Sequence, residues 1–185
     1  MPSRLAAVLL VAAVAAVAGC GSSKSSSSTP NPNAPEKSPP GDIPDNQVYV
    51  PYRVPGGHVS LKVPEGWAQS KAGGGVTFTD KLNTVQIQSV PASGPLTVAA
   101  AKKAIQGLAK PKVGTIRRPA GPAVHITYLA KSKPDPVTGK VTTDAVERYV
   151  FFHNGRRAIL TLTGAKAADN VDPWRIVSSS VRWAP

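Results

Sequence analysis

The sequence predicts an α+β domain: an antiparallel sheet with two main helices, preceded by an export leader and a linker. Three observations point there. Apolar residues alternate with period two through several short segments, and the period changes to a helical one over residues 96–109. The dipeptide Asn154-Gly155 sits between two such segments and marks a tight hairpin. Six of the 19 prolines crowd residues 30–44.

Within the domain, Val59–Val63 alternates and runs into Pro64-Glu65-Gly66-Trp67, a strand followed by a turn. Gly73-Gly74-Gly75 separates that turn from a second strand at Val76–Thr79, and Thr84–Val90 forms a third. The glycines read as a flexible turn, with ligand access to backbone N–H groups as the alternative. Over Leu96–Ala109 the residues Val98, Ala101, Ile105 and Leu108 share a helical stripe, starting near Thr97 and ending before Pro111. Strands follow at Val113–Arg117 and Ala123–Lys131, the latter with Val124, Ile126 and Tyr128 on one face. Val146–His153 and Arg156–Thr163 form the hairpin around Asn154-Gly155, placing Tyr149 and Phe151 on a core face with Ala158, Leu160 and Leu162. The last helix opens at Asp172-Pro173-Trp174, with Asp172 as cap, Trp174, Val177 and Val181 as its apolar stripe, and Ser178–Ser180 on its polar side.

The first nineteen residues read as a leader. Arg4 precedes thirteen uninterrupted apolar residues, Leu5–Val17, a length that suits a signal peptide and falls short of the roughly 20 needed to span a bilayer. The ending Val17-Ala18-Gly19-Cys20 resembles the lipobox of bacterial lipoprotein precursors. That resemblance implies a diacylglycerol thioether on Cys20, palmitate-type acylation of its amine, and attachment to the extracytoplasmic face of the cell membrane. Two or three chains anchor stably where one is marginal, since each buried CH₂ contributes about 0.8 kcal/mol. Residues 20–47 are Ser-rich and then Pro-rich, with few apolar residues to offset the entropy of ordering, and read as a disordered tether. Their full reach approaches about 80 Å. The folded domain is expected over residues 48–185.

The order strands, helix, strands, helix resembles the Mog1/PsbP-like α/β/α sandwich, including actinobacterial lipoproteins of the LpqN type. The stretch Val63-Pro64-Glu65-Gly66-Trp67, the long hairpin at Asn154-Gly155 and the terminal Trp174 helix carry the resemblance, which spans residues 48–185. It implies binding and accessory roles and transfers no site residues.

Chemistry is sparse. The three histidines, His58, His125 and His153, are scattered, the one cysteine is Cys20, and no pair has ligand spacing, so no metal or cofactor is expected. No Gly-x-Ser-x-Gly occurs, and Val137-Thr138-Gly139-Lys140 lacks the first glycine of a phosphate loop. Asp144 and Glu147, three apart on a strand, fall on opposite faces, so no catalytic carboxylate pair is formed.

The formal charge of +12 favours anionic partners, which in an envelope means lipid headgroups, phosphate-bearing polymers or acidic proteins rather than nucleic acid. Lys102, Lys103, Lys110, Lys112, Arg117 and Arg118 are the candidate contacts. The expectation is a membrane-anchored, non-catalytic binding or accessory domain for another envelope protein. The alternative is a carrier of a lipid-like amphiphile in a cavity lined by Tyr149, Phe151 and Trp174.

Overall fold

The computed structural model describes residues 39–135 and 137–184. The leader, Cys20 and most of the tether lie outside them. In chain order the elements are β1 (Tyr49–Arg53), β2 (Val59–Pro64), β3 (Ala68–Ala72), β4 (Gly75–Asp80), β5 (Asn83–Pro91), α1 (Val98–Ala104), β6 (Ala109–Arg118), β7 (Gly121–Lys131), β8 (Thr143–His153), β9 (Arg156–Ala165), α2 (Val171–Ser180) and β10 (Arg182–Trp183). Seven strands form one sheet in the order β3-β4-β5-β9-β8-β7-β6, and three form a second, β1-β2-β10. The paired strands of both sheets run antiparallel. Among the described residues the fold is α+β with two helices.

Register sorts the large sheet into two faces. Ala123, Phe151 and Ala158 stand in one row, and Val124, Val150 and Ile159 in the next, on the opposite face. The first face carries the larger core. Ile87, Phe151, Leu160 and Leu162 are fully buried there with Trp174, Val177 and Val181 of the α2 segment and Val59, Leu61 and Val63 of β2. The second face is covered in part by α1, whose Ala101 and Ile105 pack on Val124, Ile126 and Val150. The layers are therefore α1, large sheet, and α2 beside the small sheet.

The hairpin between β8 and β9 turns through Asn154 and Gly155 at φ 44° and 71°, the paired positive angles a type I′ turn requires. Its core face is the one expected: Tyr149, Phe151, Ala158, Leu160 and Leu162 are all buried. The triple glycine turns β3 into β4, and its last member is not merely flexible. A Cβ on Gly75 would lie 2.1 Å from the carbonyl oxygen of Ile87, so β5 can pair with β4 only because that side chain is missing.

Four local expectations are corrected. The first helix stops at Ala104, not Ala109. Thr97 caps it as read, its Oγ1 accepting from the Ala100 N–H at 3.1 Å, but Gly107 at φ 87° reverses the chain and frees residues from Ala109 onward to pair with β7. Pro111 is tolerated because β6 is an edge strand with a bulge between Ala109 and Lys112.

The last helix starts two residues earlier than read. Asn170 holds the cap position, and Asp172 sits in the first turn, bonded to Arg175 at 2.9 Å. Its negative charge there suits the helix dipole. Ser178 is not on a polar face but wholly buried.

Finally, packing begins N-terminal of Val48. Ile43 is in the core, its N–H donating to Asn170 Oδ1 at 2.9 Å. The Gly41 carbonyl accepts from both Asn170 and Asn83, at 3.0 and 2.8 Å. Composition marks this stretch as linker, yet one isoleucine and its backbone groups find specific partners.

Candidate functional site

The six basic residues singled out in the sequence do not form one patch. Lys102 and Lys103 are exposed on α1, and Lys110, Lys112 and Arg117 are exposed on β6. Because β6 is a strand, Lys112 and Arg118 point to the α2 side of the sheet and Arg117 to the α1 side. Lysines along such an edge have a ready physical role, since charge there discourages unwanted strand pairing.

Arg118 belongs to a different group. Its Nε donates to Ser178 Oγ at 3.3 Å, and its guanidinium carbon lies 5.6 Å from the centre of the Tyr149 ring. Tyr149 OH donates to Glu147 Oε2 at 2.6 Å. His125 Nε2 lies 3.3 Å from the same oxygen, and its ring stacks on Tyr149 at 4.6 Å. Three neighbouring strands supply these side chains: Tyr149 stands opposite His125 in the register of β7 and β8, and Arg118 reaches the ring from further along β6, where Gly114 is the register partner of His125. The cluster joins the sheet to α2 through Ser178.

Its charges follow from its place. Burial acts to raise the Glu147 carboxyl. Hydrogen bonds from His125 and Tyr149, with the charges of His125 and Arg118, outweigh it and hold the group below its ordinary value. Burial pushes the Tyr149 hydroxyl up, and the Glu147 carboxylate adds to that. Tyr149 is 2% exposed and Ser178 fully buried, whereas the His125 and Glu147 side chains are about one quarter open. The inner members are therefore braces, while the His125 and Glu147 side chains stay in reach of solvent.

A pH signature follows. Glu147 has a depressed folded-state value, so its contribution to stability is complete above its unfolded value near 4.5 and disappears as pH falls through the folded one. Denaturation curves of Glu147→Gln should show a lower stability at pH 7 and a flatter decline below pH 4.5 than the parent. Identical acid limbs would remove Glu147 from the account.

Sequence reading had found the histidines scattered and no acid–base pair. Asp144 and Glu147 do lie on opposite faces, as the strand period requires. What was missed is the i,i+2 pair Glu147 and Tyr149, on one face of β8 and opposite His125. The signal was available in period two, but using it needed the β7–β8 register.

Among the described residues no three His, Cys, Asp or Glu side chains gather in a metal-binding group, and no helix is long and apolar enough to cross a membrane. Asp135 organises the β7–β8 loop instead of a phosphate: its Oδ1 accepts from Thr138 N–H at 2.7 Å, from the Thr138 hydroxyl and from Val137 N–H. The described residues include two surface depressions of note. One of about 350 Å³ is lined by Asp45, Asp169 and Asp172, and one of about 420 Å³ by Pro40, Leu82, Thr143 and Ala165 among others. Neither involves Tyr149, Phe151 or Trp174, which are core residues.

No family model matches the chain, and no curated protein matches it. Solved structures do. A protein from Bacteroides thetaiotaomicron is 12% identical at a TM-score of 0.51, over 73% of this chain and 48% of its own, so this chain spans about half its length. Cyanobacterial PsbP from Synechocystis is 15% identical at 0.46, over 78% of this chain and 98% of that one. LpqN of Mycobacterium tuberculosis, described as involved in cell envelope biogenesis, is 14% identical at 0.41, over 80% and 91%. PsbP and LpqN are among the proteins to which the sequence resemblance pointed.

Proposed function

We propose that the chain is a lipid-anchored protein of the extracytoplasmic membrane face whose folded domain binds another envelope protein and catalyses no reaction. The anchor is read from Val17-Ala18-Gly19-Cys20. The observation that carries the binding role is β6. This strand lies at an edge of the large sheet, is ten residues long, and presents Lys110, Lys112 and Arg117 to solvent beside its unpaired backbone. An acidic extended segment of a partner would gain main-chain hydrogen bonds along that edge and complementary charge from the lysines. The lysines at the same time disfavour a second copy of this basic chain.

Support for a non-catalytic role comes from the His125–Glu147–Tyr149 cluster. Its hydroxyl-bearing members, Tyr149 and Ser178, are buried and already bonded, so neither is presented as a nucleophile.

The test is in-cell crosslinking of the full chain followed by mass spectrometry, beside Lys110→Glu/Lys112→Glu. The reading expects one dominant envelope protein, reduced at least fivefold in the variant by charge reversal at the interface rim. Equal capture by both chains would exclude β6. Cys20→Ser should move the chain from the membrane fraction to the soluble one, and unchanged partition would exclude the anchor.

A further inference from the structure

On the α1-side face of the large sheet, the second core gathers residues of β6, β7 and β8 and, at Ile159, of β9. Beyond it, β4, β5 and β9 present a surface of unusual chemistry. Register aligns Thr79, Thr84 and Thr163 in one row across three strands. The next row runs Thr77, Gln86, Thr161 and Arg148. Strand spacing of about 4.8 Å and a two-residue repeat of about 6.7 Å make this a grid of hydroxyl and amide groups. Threonine is stiff at χ1, so the hydroxyls are held in place before anything binds.

Charge on this side is mainly positive. Arg148 ends the second row, its Nε donating to Thr161 Oγ1 at 3.0 Å, Arg157 lies on the same face of β9, and Lys102 and Lys103 are exposed on α1 on this side of the sheet. The carboxylate that the β8 register places here, Asp144, is 9% exposed and bonded by the Thr142 hydroxyl. Strands β4, β5 and β9 put no carboxylate on this face; Asp80 faces the other way. An ordinary solvated sheet face mixes both signs. This one combines neutral hydrogen-bonding groups with Arg148 and Arg157 on the same face.

We infer that the Thr77–Gln86–Arg148 face is a docking surface for an anionic glycan, a linear hydroxyl-rich polymer bearing phosphate groups. Hydroxyls of the sugar units meet the threonine and glutamine grid, and phosphates meet Arg148, Arg157 and the α1 lysines. The surface is separate from the β6 edge assigned to a protein partner, so each can fail alone.

The experiment measures binding of the full chain in non-ionic micelles to immobilised phosphomannan, with mannan as the neutral counterpart. Phosphomannan should be preferred at least tenfold, with affinity falling as salt rises. Gln86→Glu should weaken binding about threefold to tenfold and Gln86→Lys should strengthen it, since one charge changes sign at one site of similar side-chain length. Lys62→Glu, on exposed β2 of the other layer, changes net charge more but should weaken binding less. Matching melting curves show that each variant is folded.

Equal binding to mannan, or a larger effect of Lys62→Glu than of Gln86→Glu, overturns the inference. So does complete competition by micelles doped with phosphatidylglycerol, which would mark a lipid surface. Crosslinking to the protein partner should persist in Gln86→Glu.

Discussion

Phe151→Ala should lower the unfolding free energy of the full chain by about 3–5 kcal/mol. Phe151 is fully buried at the middle of the large sheet, and its cross-strand neighbours on that face are Ala123 and Ala158. Two alanines beside a phenylalanine mean that one ring fills the space above three strands. When the ring is removed, neither neighbour can extend into the gap, so the cavity persists and adds its own cost to the lost transfer energy. Trp174, Val177 and Val181 close the same core from the α2 side and share the loss.

Urea denaturation of the two chains measures this directly. Phe152→Ala is the internal comparison: Phe152 points to the opposite face and is half-buried, so its loss should cost clearly less. A difference below about 1.5 kcal/mol for Phe151→Ala would mean that the core relaxes around the cavity. Against a typical total of about 5–15 kcal/mol, the expected loss removes a large share of the fold's stability.

Asn170→Ala is the second large effect, and it acts through hydrogen bonds. Asn170 is 3% exposed and makes three of them: it accepts from the Ile43 N–H and donates to the Gly41 carbonyl and to Asn83 Oδ1. Truncation strands the Ile43 N–H and Asn83 Oδ1 away from water, and each stranded group costs about 1–3 kcal/mol. The expected sum is a loss of about 2–4 kcal/mol.

A second readout separates this from a general weakening. Asn170 holds residues 41–43 onto the domain, so limited proteolysis should cut within residues 39–47 much faster in the variant, at denaturant-free conditions where the rest stays folded. If global stability falls while cleavage in that segment is unchanged, the network is not what holds it. Gly164 supports the same site: a Cβ there would lie 2.5 Å from Asn83 Oδ1 and 2.9 Å from Asn170 Nδ2, so the strand makes room for the asparagine pair.

The legible and illegible parts of this molecule divide along a physical line. The strands from Val59 onward were visible where burial alternates, most clearly in β5, because period two is a property of consecutive residues. The Asn154-Gly155 hairpin was visible for the same local reason. Strands β1 and β3 were missed: β1 is at most half-buried, β3 is open at the edge of its sheet, and neither shows an apolar alternation. The first helix was overextended because Leu108 continues its stripe in sequence, although it ends 41% exposed beyond Gly107.

Function divides in the same way. The leader pattern, the scarcity of chemistry-bearing groups and the basic excess are all linear facts. That Arg118 leaves the other cations to brace Tyr149 and Ser178 depends on which face of an edge strand it occupies.

By itself, then, the sequence determined the α+β class and the core face of the β8–β9 hairpin. Tertiary structure alone decided that β5 pairs with β9, that Ile43 belongs to the core, and that His125 meets Glu147. It also decided that threonines from three strands form one surface. Periodicity and turn chemistry are set by neighbours in the chain. Side-by-side pairing of strands some 75 residues apart is set by register and by the closure of everything between them, which no local pattern encodes.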